Sequence, residues 1–327
     1  AKCAGSSFTR ALEELVRAWN QTAVTAGVPT IRLKHRPEKV IAGYPKSGLP
    51  FVMARNQACP DPNQTTFVLE EVVGFNLDQY RRDCGLEEVT LLRDPIDRAI
   101  SLYQYYNEVH KQIIYNSEFG PEDLSRRVSP ETCQSVATIC NRGDPLLAFE
   151  KCWLWKGDCG VWVNHEVLAL AGERPTDEPF DERLRIASEK LDSMPFFGIT
   201  EYYRQSMCLF LDTWFPSDSE HFDACCQGAE PSDRCTLLET YNVEGRVNKH
   251  EVSDPNPDYR QPFLSQRKTA EALLEGNRYD CKLYTYALRT FRTRVQALEK
   301  KRGTFLGPVL VPREGVDYCD EKMAHWL

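Results

Sequence analysis

Two segments of the chain combine residue types that suit the gripping of anionic groups. The first is AKCAGSSF at positions 1–8, where Lys2 precedes the small residues Cys3, Ala4 and Gly5, the hydroxyls of Ser6 and Ser7, and Phe8. Small residues let backbone N–H groups approach an anion, a helix N-terminus adds favourable partial charge, and the lysine and hydroxyls complete a phosphate cradle. The second is VTLLRDPIDRAISLYQYY, from Val89 to Tyr106. Its apolar start reads as a buried strand that delivers Arg93 at the carboxyl end, where open parallel sheets bind ligands. Ser101 follows about two helical turns into the next helix, so Arg93 can grip a second phosphate with Ser101 as a further hydrogen-bond partner. Each segment also has a plain structural alternative: a small-residue turn for the first, and for Arg93 a surface ion pair with Asp94 or Asp97.

Candidate bases are fewer. Glu70 and Glu71 end the strand-like run FVLEEVVGF, and strand alternation lets only one of them face a cleft. His35 lies in LKHRPEK beside Arg32, Lys34 and Arg36, a run that is either a local groove for a polyanion or a solvated surface segment. Lys249, in RVNKH, belongs to another basic loop. A rival phosphate loop is YPKSGLP, from Tyr44 to Pro50. There, Leu49-Pro50 stand where a hydroxyl pair is needed, no amphipathic helix follows, and the short stretch from Lys46 to Arg93 leaves little room for intervening layers. Lys2 is therefore the cofactor lysine of this reading and Lys46 a substrate contact.

The elements that must position these residues follow from hydrophobic periodicity. Phe8, Leu12, Leu15, Val16 and Trp19 recur at helical spacing, so a helix runs from Ser7 to about Thr25. Val40 to Gly43, Phe67 to Leu69 and Val89 to Leu92 read as buried strands, each followed by turn or helix-start residues, which predicts a parallel sheet covered by helices. A helix starts at Pro95 with Ile96, Ile100 and Tyr103 on one face, and others are expected at 144–156, 181–193, 201–214, 264–276 and 279–300. Residues 216–262 form a cysteine- and proline-rich excursion, with Cys225, Cys226 and Cys235 in a loop. The expected organisation is one catalytic domain over 1–302 and a surface tail over 303–327, tied down by Cys319.

Composition narrows the class. A net charge of −8 argues against a nucleic-acid partner, which demands a broad electropositive face. Thirteen cysteines without the spacing of paired zinc knuckles read as disulfides, and the sequons Asn20-Gln21-Thr22 and Asn63-Gln64-Thr65 point to the same oxidising compartment. The odd count leaves at least one thiol unpaired within the chain. No metal site is expected.

Taken together, the two anion-gripping segments resemble those of the Golgi carbohydrate sulfotransferases, the group that includes the heparan sulfate 2-O- and 6-O-sulfotransferases. Lys2, Gly5, Ser6 and Ser7 match the family's PKTGGTS-type loop, with Ala1 where proline is usual; Arg93, Asp94, Pro95, Arg98, Ser101 and Tyr103 match LLRDPxxRxxSxY. FFGITEYYRQSMCLFL, from Phe196, is similar to a later strand–helix unit, and NRYDCKLYTYALRTF, from Asn277, to a late N-x-x-D-x-x-LY helix. The resemblance implies a P-loop-NTPase-like sulfotransferase fold with a central parallel sheet. It also implies 3′-phosphoadenosine 5′-phosphosulfate (PAPS) as sulfuryl donor, its 5′-phosphosulfate on Lys2 to Phe8 and its 3′-phosphate on Arg93 and Ser101, with Lys249 near the nucleotide. The acceptor is then a carbohydrate hydroxyl of a glycan, with in-line transfer assisted by Glu71, whose distance to Arg93 is nearer that of the family's histidine, or by Glu70 or His35. Location in the Golgi lumen, with a type II membrane anchor upstream of residue 1 and the first strand truncated, is the matching expectation. The competing expectations are a nucleotide kinase-like P-loop enzyme, against which the chain has no G-x-x-x-x-G-K-[ST], and a non-catalytic glycan-binding protein that retains the fold.

Overall fold

The computed structural model describes residues 15–17, 20, 32–35, 66–69, 89–105, 164–171, 179–215, 219–228, 235 and 267–324. Among them are two pairs of parallel strands and a larger helical mass. Strand β1 (Arg32–His35) pairs with β2 (Thr66–Leu69), and β3 (Val89–Leu92) with β4 (Phe196–Ile199). The fold is thus mixed α/β with parallel pairing, as the sequence predicts, but the described strands form two separate two-stranded sheets. The basic run at Arg32 to His35, for which the sequence specifies no backbone state, is strand. Residues 40–43 and 144–156 lie outside the described residues.

β3 leads into helix α1 (Pro95–Tyr105) through Asp94. Asp94 is the N-cap, its Oδ1 accepting from the N–H groups of Ile96 (2.9 Å) and Asp97 (3.1 Å), while Pro95 supplies a fixed φ at the first helical position. Helices α2 (His165–Ala171) and α3 (Phe180–Ser193) pack together, and β4 passes through a 3-10 turn at Thr200–Tyr202 into α4 (Tyr203–Trp214). Ser206 to Leu211 are all buried, so α4 is an interior helix. Gly198 permits its approach to the strands: a Cβ there would lie 2.4 Å from Leu91 Cδ2 and 2.8 Å from Ser206 Cβ.

Helix α5 (Ser219–Cys226) departs from the expected loop. Its Phe222, Cys225 and Cys226 fall at i, i+3 and i+4 and bury one face in the core, so the excursion begins as an amphipathic helix. Cys208 of α4 is bonded to Cys226, and Cys225 to Cys235. Arg204 closes the end of α5, donating to the carbonyls of Cys225 and Gly228 at 2.9 Å each.

After α6 (Arg267–Gly276), the 25-residue α7 (Arg278–Arg302) forms the spine of the core. Tyr284, Ala287, Leu288, Phe291, Val295 and Leu298 make its buried stripe against α3, β4 and α4. Its C-terminus stops at Gly303, whose φ of 64° is the left-handed cap conformation, and Lys300, Lys301 and Arg302 complement the dipole of its last turn. The segment beyond, read from sequence as a surface tail, buries Leu306 and Val309 in the core and ends in α8 (Tyr318–Met323). A Cys281–Cys319 disulfide ties α8 to the first turn of α7, the anchoring role expected of Cys319. No helix among the described residues is long and apolar enough to cross a membrane.

Candidate functional site

Three segments distant in sequence meet at the carboxyl end of β3. The register Val89↔Phe196 to Leu92↔Ile199 brings VTLLRDP alongside FFGITEYY, and the buried Thr200 hydroxyl donates to the Leu92 carbonyl (2.9 Å) where both strands end. Arg98, fully buried on α1, reaches the third segment at the start of α7, donating from Nη2 to Asp280 Oδ2 (2.8 Å) and to Asn277 Oδ1 (3.4 Å). The late N-x-x-D pattern thus serves to hold the arginine of the RDPxxR string.

A reciprocal cap completes this junction. Asn164, at φ 50°, accepts through Oδ1 from the N–H groups of Tyr279 (2.8 Å) and Asp280 (3.2 Å) in the first turn of α7. Asp280 in return accepts from the N–H groups of Glu166 (3.0 Å) and Val167 (2.8 Å) in the first turn of α2. Each side chain satisfies orphan donors of the other's helix. Asn277 sits at the N-cap position of α7 but spends its side chain on Arg98 and on the Leu273 carbonyl (3.0 Å).

Glu166 shares the same guanidinium, its Oε1 lying 3.7 Å from Arg98 Nε and accepting from the Arg93 N–H at 3.1 Å. One cation cannot neutralise two buried carboxylates. Burial pushes Glu166 up to about 8, with Arg98 working against it and Asp280 adding to it. Asp280 is also raised by burial, against the pull of Arg98. This corner therefore holds a proton at neutral pH.

On the other side of Arg93, Glu201 accepts from the Asp94 N–H (3.0 Å) and from Tyr284 Oη (2.7 Å). Glu201 as a residue is exposed, but its carboxyl is crowded among protein groups; desolvation and the Asp94 charge raise it to about 7. Asp94 behaves oppositely. Burial works to raise it, yet Lys322, the Tyr318 hydroxyl (2.7 Å) and the Asp97 N–H together hold it below the ordinary carboxylate range. Burial and Asp94 also drive the Tyr318 hydroxyl well up, so it is a hydrogen-bond donor throughout the physiological range.

Arg93 lies half-buried at the β3 carboxyl end, where the sequence puts it, and Ser101 lies on α1 as expected. Asp94 and Asp97 pair with Lys322, a partner that no local pattern signals. His35 is the last residue of β1 and stands across from Leu69, the residue before Glu70, so His35 and the end of β2 share one sheet end. Lys2, Cys3, Ala4, Gly5, Ser6, Ser7, Phe8, Lys46, Glu70, Glu71 and Lys249 lie outside the described residues.

Sequence reasoning missed Asn164, Glu166, Glu201, Tyr284, Tyr318 and Lys322. An Asn before the apolar HEVLALA was a legible cap signal, although it caps a different helix from the one it precedes. The one cluster of metal-ligand types among the described residues is Cys281, Asp317 and Cys319. Its cysteines are spent in a disulfide, and Asp317 accepts from the Cys319 N–H at 2.9 Å as the cap of α8. No family model, curated protein or solved structure matches this chain.

Proposed function

We propose that the chain is a PAPS-dependent sulfotransferase, with a P-loop-like α/β domain, that transfers a sulfuryl group to a carbohydrate hydroxyl of a glycan. The observation that carries this reading is the junction of the motif segments: β3 beside β4 in parallel, with Arg98 locked onto Asn277 and Asp280. That junction fixes the strand end bearing Arg93 and the start of the helix that carries Ser101, and a 3′-phosphate grip built on those two residues would need both elements held in place. Glu166 also suits an anionic ligand, because it retains its proton to about pH 8 and so adds no repulsive charge beside Arg93 near neutrality.

When bound, PAPS supplies a sulfuryl group already activated as a phosphosulfate anhydride. In this reading Arg93 and Ser101 hold the 3′-phosphate, and Lys2 to Phe8 hold the 5′-phosphosulfate, with Lys2 offsetting charge on the leaving phosphate. Lys249 contributes a further cation. Glu71 removes the acceptor proton, with Glu70 and His35 as rivals for that role. Three disulfides among the described residues favour an oxidising compartment, and the Golgi lumen is the compartment this activity calls for.

The experiment is transfer of radiolabelled sulfate from PAPS to a panel of heparan-type, chondroitin-type and other polysaccharides, with calorimetry of 3′-phosphoadenosine 5′-phosphate binding to the native chain and Arg93→Ala. Label should enter a glycan, and Arg93→Ala should lose about 1.5–3 kcal/mol of nucleotide binding, the worth of a hydrogen bond to a charged group. Phosphoryl transfer from ATP instead, or glycan binding with neither transfer nor nucleotide affinity, would refute the proposal.

A further inference from the structure

Arg93 is followed in sequence by two acids, Asp94 and Asp97, that bear on any anion bound beside it. Both carboxylates lie beside one residue from the far end of the chain. Lys322 on α8 forms an ion pair with Asp94 and lies 3.6 Å from Asp97 Oδ1. Tyr318, one turn earlier on the same helix, donates to Asp94 Oδ2.

This segment is held firmly. Cys319 is bonded to Cys281 in the first turn of α7, the Tyr318 N–H donates to Thr285 Oγ1 at 2.8 Å, and the Tyr318 ring packs edge-on against Tyr284 with centroids 4.9 Å apart. Asp94 is fully buried and Lys322 largely so, and in such surroundings a charge acts strongly on its neighbours. Asp94 is also fixed by capping α1, so it cannot swing away if its counter-ion is lost.

We propose that Lys322 is a positioning residue of the anion site at the β3 carboxyl end: it pairs with Asp94 beside Asp97 and offsets one of their two negative charges, so that Arg93 can hold an anionic ligand. The 303–324 segment is then part of the ligand site, delivered by the Cys281–Cys319 bridge. This rests on the proposed function for the ligand, a nucleotide 3′-phosphate, and on the contacts of Lys322 and Tyr318 with Asp94 for the role of α8.

Calorimetry with 3′-phosphoadenosine 5′-phosphate, and separately with inorganic sulfate, tests it on the native chain, Lys322→Met, Lys322→Arg and the double variant Lys322→Met with Asp94→Asn. Lys322→Met should weaken binding roughly tenfold, the effect of one uncompensated charge within about 10 Å at an effective dielectric constant of about 20. Lys322→Arg should bind like the native chain. In the double variant, affinity should return, because Asn keeps the helix cap and removes the charge that Lys322 offsets. Unchanged affinity in Lys322→Met, or a loss that Asp94→Asn does not restore, overturns the inference while leaving the proposed function standing. Sulfate binding with the same Lys322 dependence but no nucleotide binding supports the inference and sinks the proposed function; if the native chain binds neither probe, both fall.

Discussion

Replacing Asp280 with alanine should be among the most damaging single changes in the described part of the protein. The side chain is fully buried, makes a 2.8 Å ion pair with an equally buried Arg98, and caps α2 through two backbone N–H groups. Removing one partner of a buried pair costs about 3–5 kcal/mol, because the other charge stays desolvated. The lost caps add about 1 kcal/mol each, and Glu166, 3.7 Å from Arg98 Nε, gives part of the total back by ionising in place of Asp280. A net loss of about 3–5 kcal/mol is therefore expected, a fall in Tm of roughly 6–20 °C at about 2–4 °C per kcal/mol. The compensation has its own signature. Glu166 should titrate below its native value of about 8 once Asp280 no longer repels it and Arg98 is no longer shared, which carboxyl-carbon NMR can follow. Arg98→Met combined with Asp280→Leu should cost less than Asp280→Ala, since it leaves no orphaned cation. A loss under about 1 kcal/mol together with an unmoved Glu166 titration would refute the argument that this junction is held by charge.

Three other outcomes follow from the structure and a fourth from the proposed function. Glu166 keeps its proton to about pH 8 when folded, against 4.5 as an ordinary carboxyl, so its contribution to stability is complete below pH 4.5 and is lost as pH rises to about 8; Glu166→Gln should flatten that part of a stability–pH profile. Peptide mapping without reductant should recover the Cys208–Cys226, Cys225–Cys235 and Cys281–Cys319 linkages, and losing the last should cost about 2–5 kcal/mol in denaturant titrations. Gly198→Ala should cost about 1–3 kcal/mol or more in the same titrations, because its Cβ collides with Leu91 Cδ2 and Ser206 Cβ in a closely packed strand–helix contact. In sulfate-transfer kinetics Glu71→Gln should lower kcat about 10²–10⁴-fold with little change in nucleotide affinity, whereas His35→Ala should be mild; the reverse pattern assigns the base to His35.

Much of the framework around the site was legible in advance because it depends on local pattern. The apolar run Val89–Leu92 forms a strand, Asp94-Pro95 starts a helix, and the stripes of α3, α4 and α7 lie close to where their periodicity puts them. Parallel pairing was also readable, since buried strands that each lead into a helix pair in that way. The errors lie where tertiary contacts override composition. The charge pattern of Arg32 to His35 leaves its backbone state open, and pairing with Thr66–Leu69 makes it strand. Serine, aspartate and cysteine around position 220 look like loop, yet the Phe222, Cys225 and Cys226 face is covered by the core and cross-linked to α4.

The sequence by itself determined which elements carry the anion-binding candidates, Arg93 at a strand end and Ser101 on the following helix, and it marked a late N-x-x-D helix of unassigned purpose. Only the tertiary structure decided how those residues are charged and held. Asp94 finds Lys322 at a separation of 228 residues, Arg98 finds Asp280 across 182, and Asn164 and Asp280 cap each other's helices. The physical reason is that a local pattern reports a residue's own backbone state and burial, whereas its protonation and pairing depend on electrostatic neighbours that chain folding alone brings within a few ångströms.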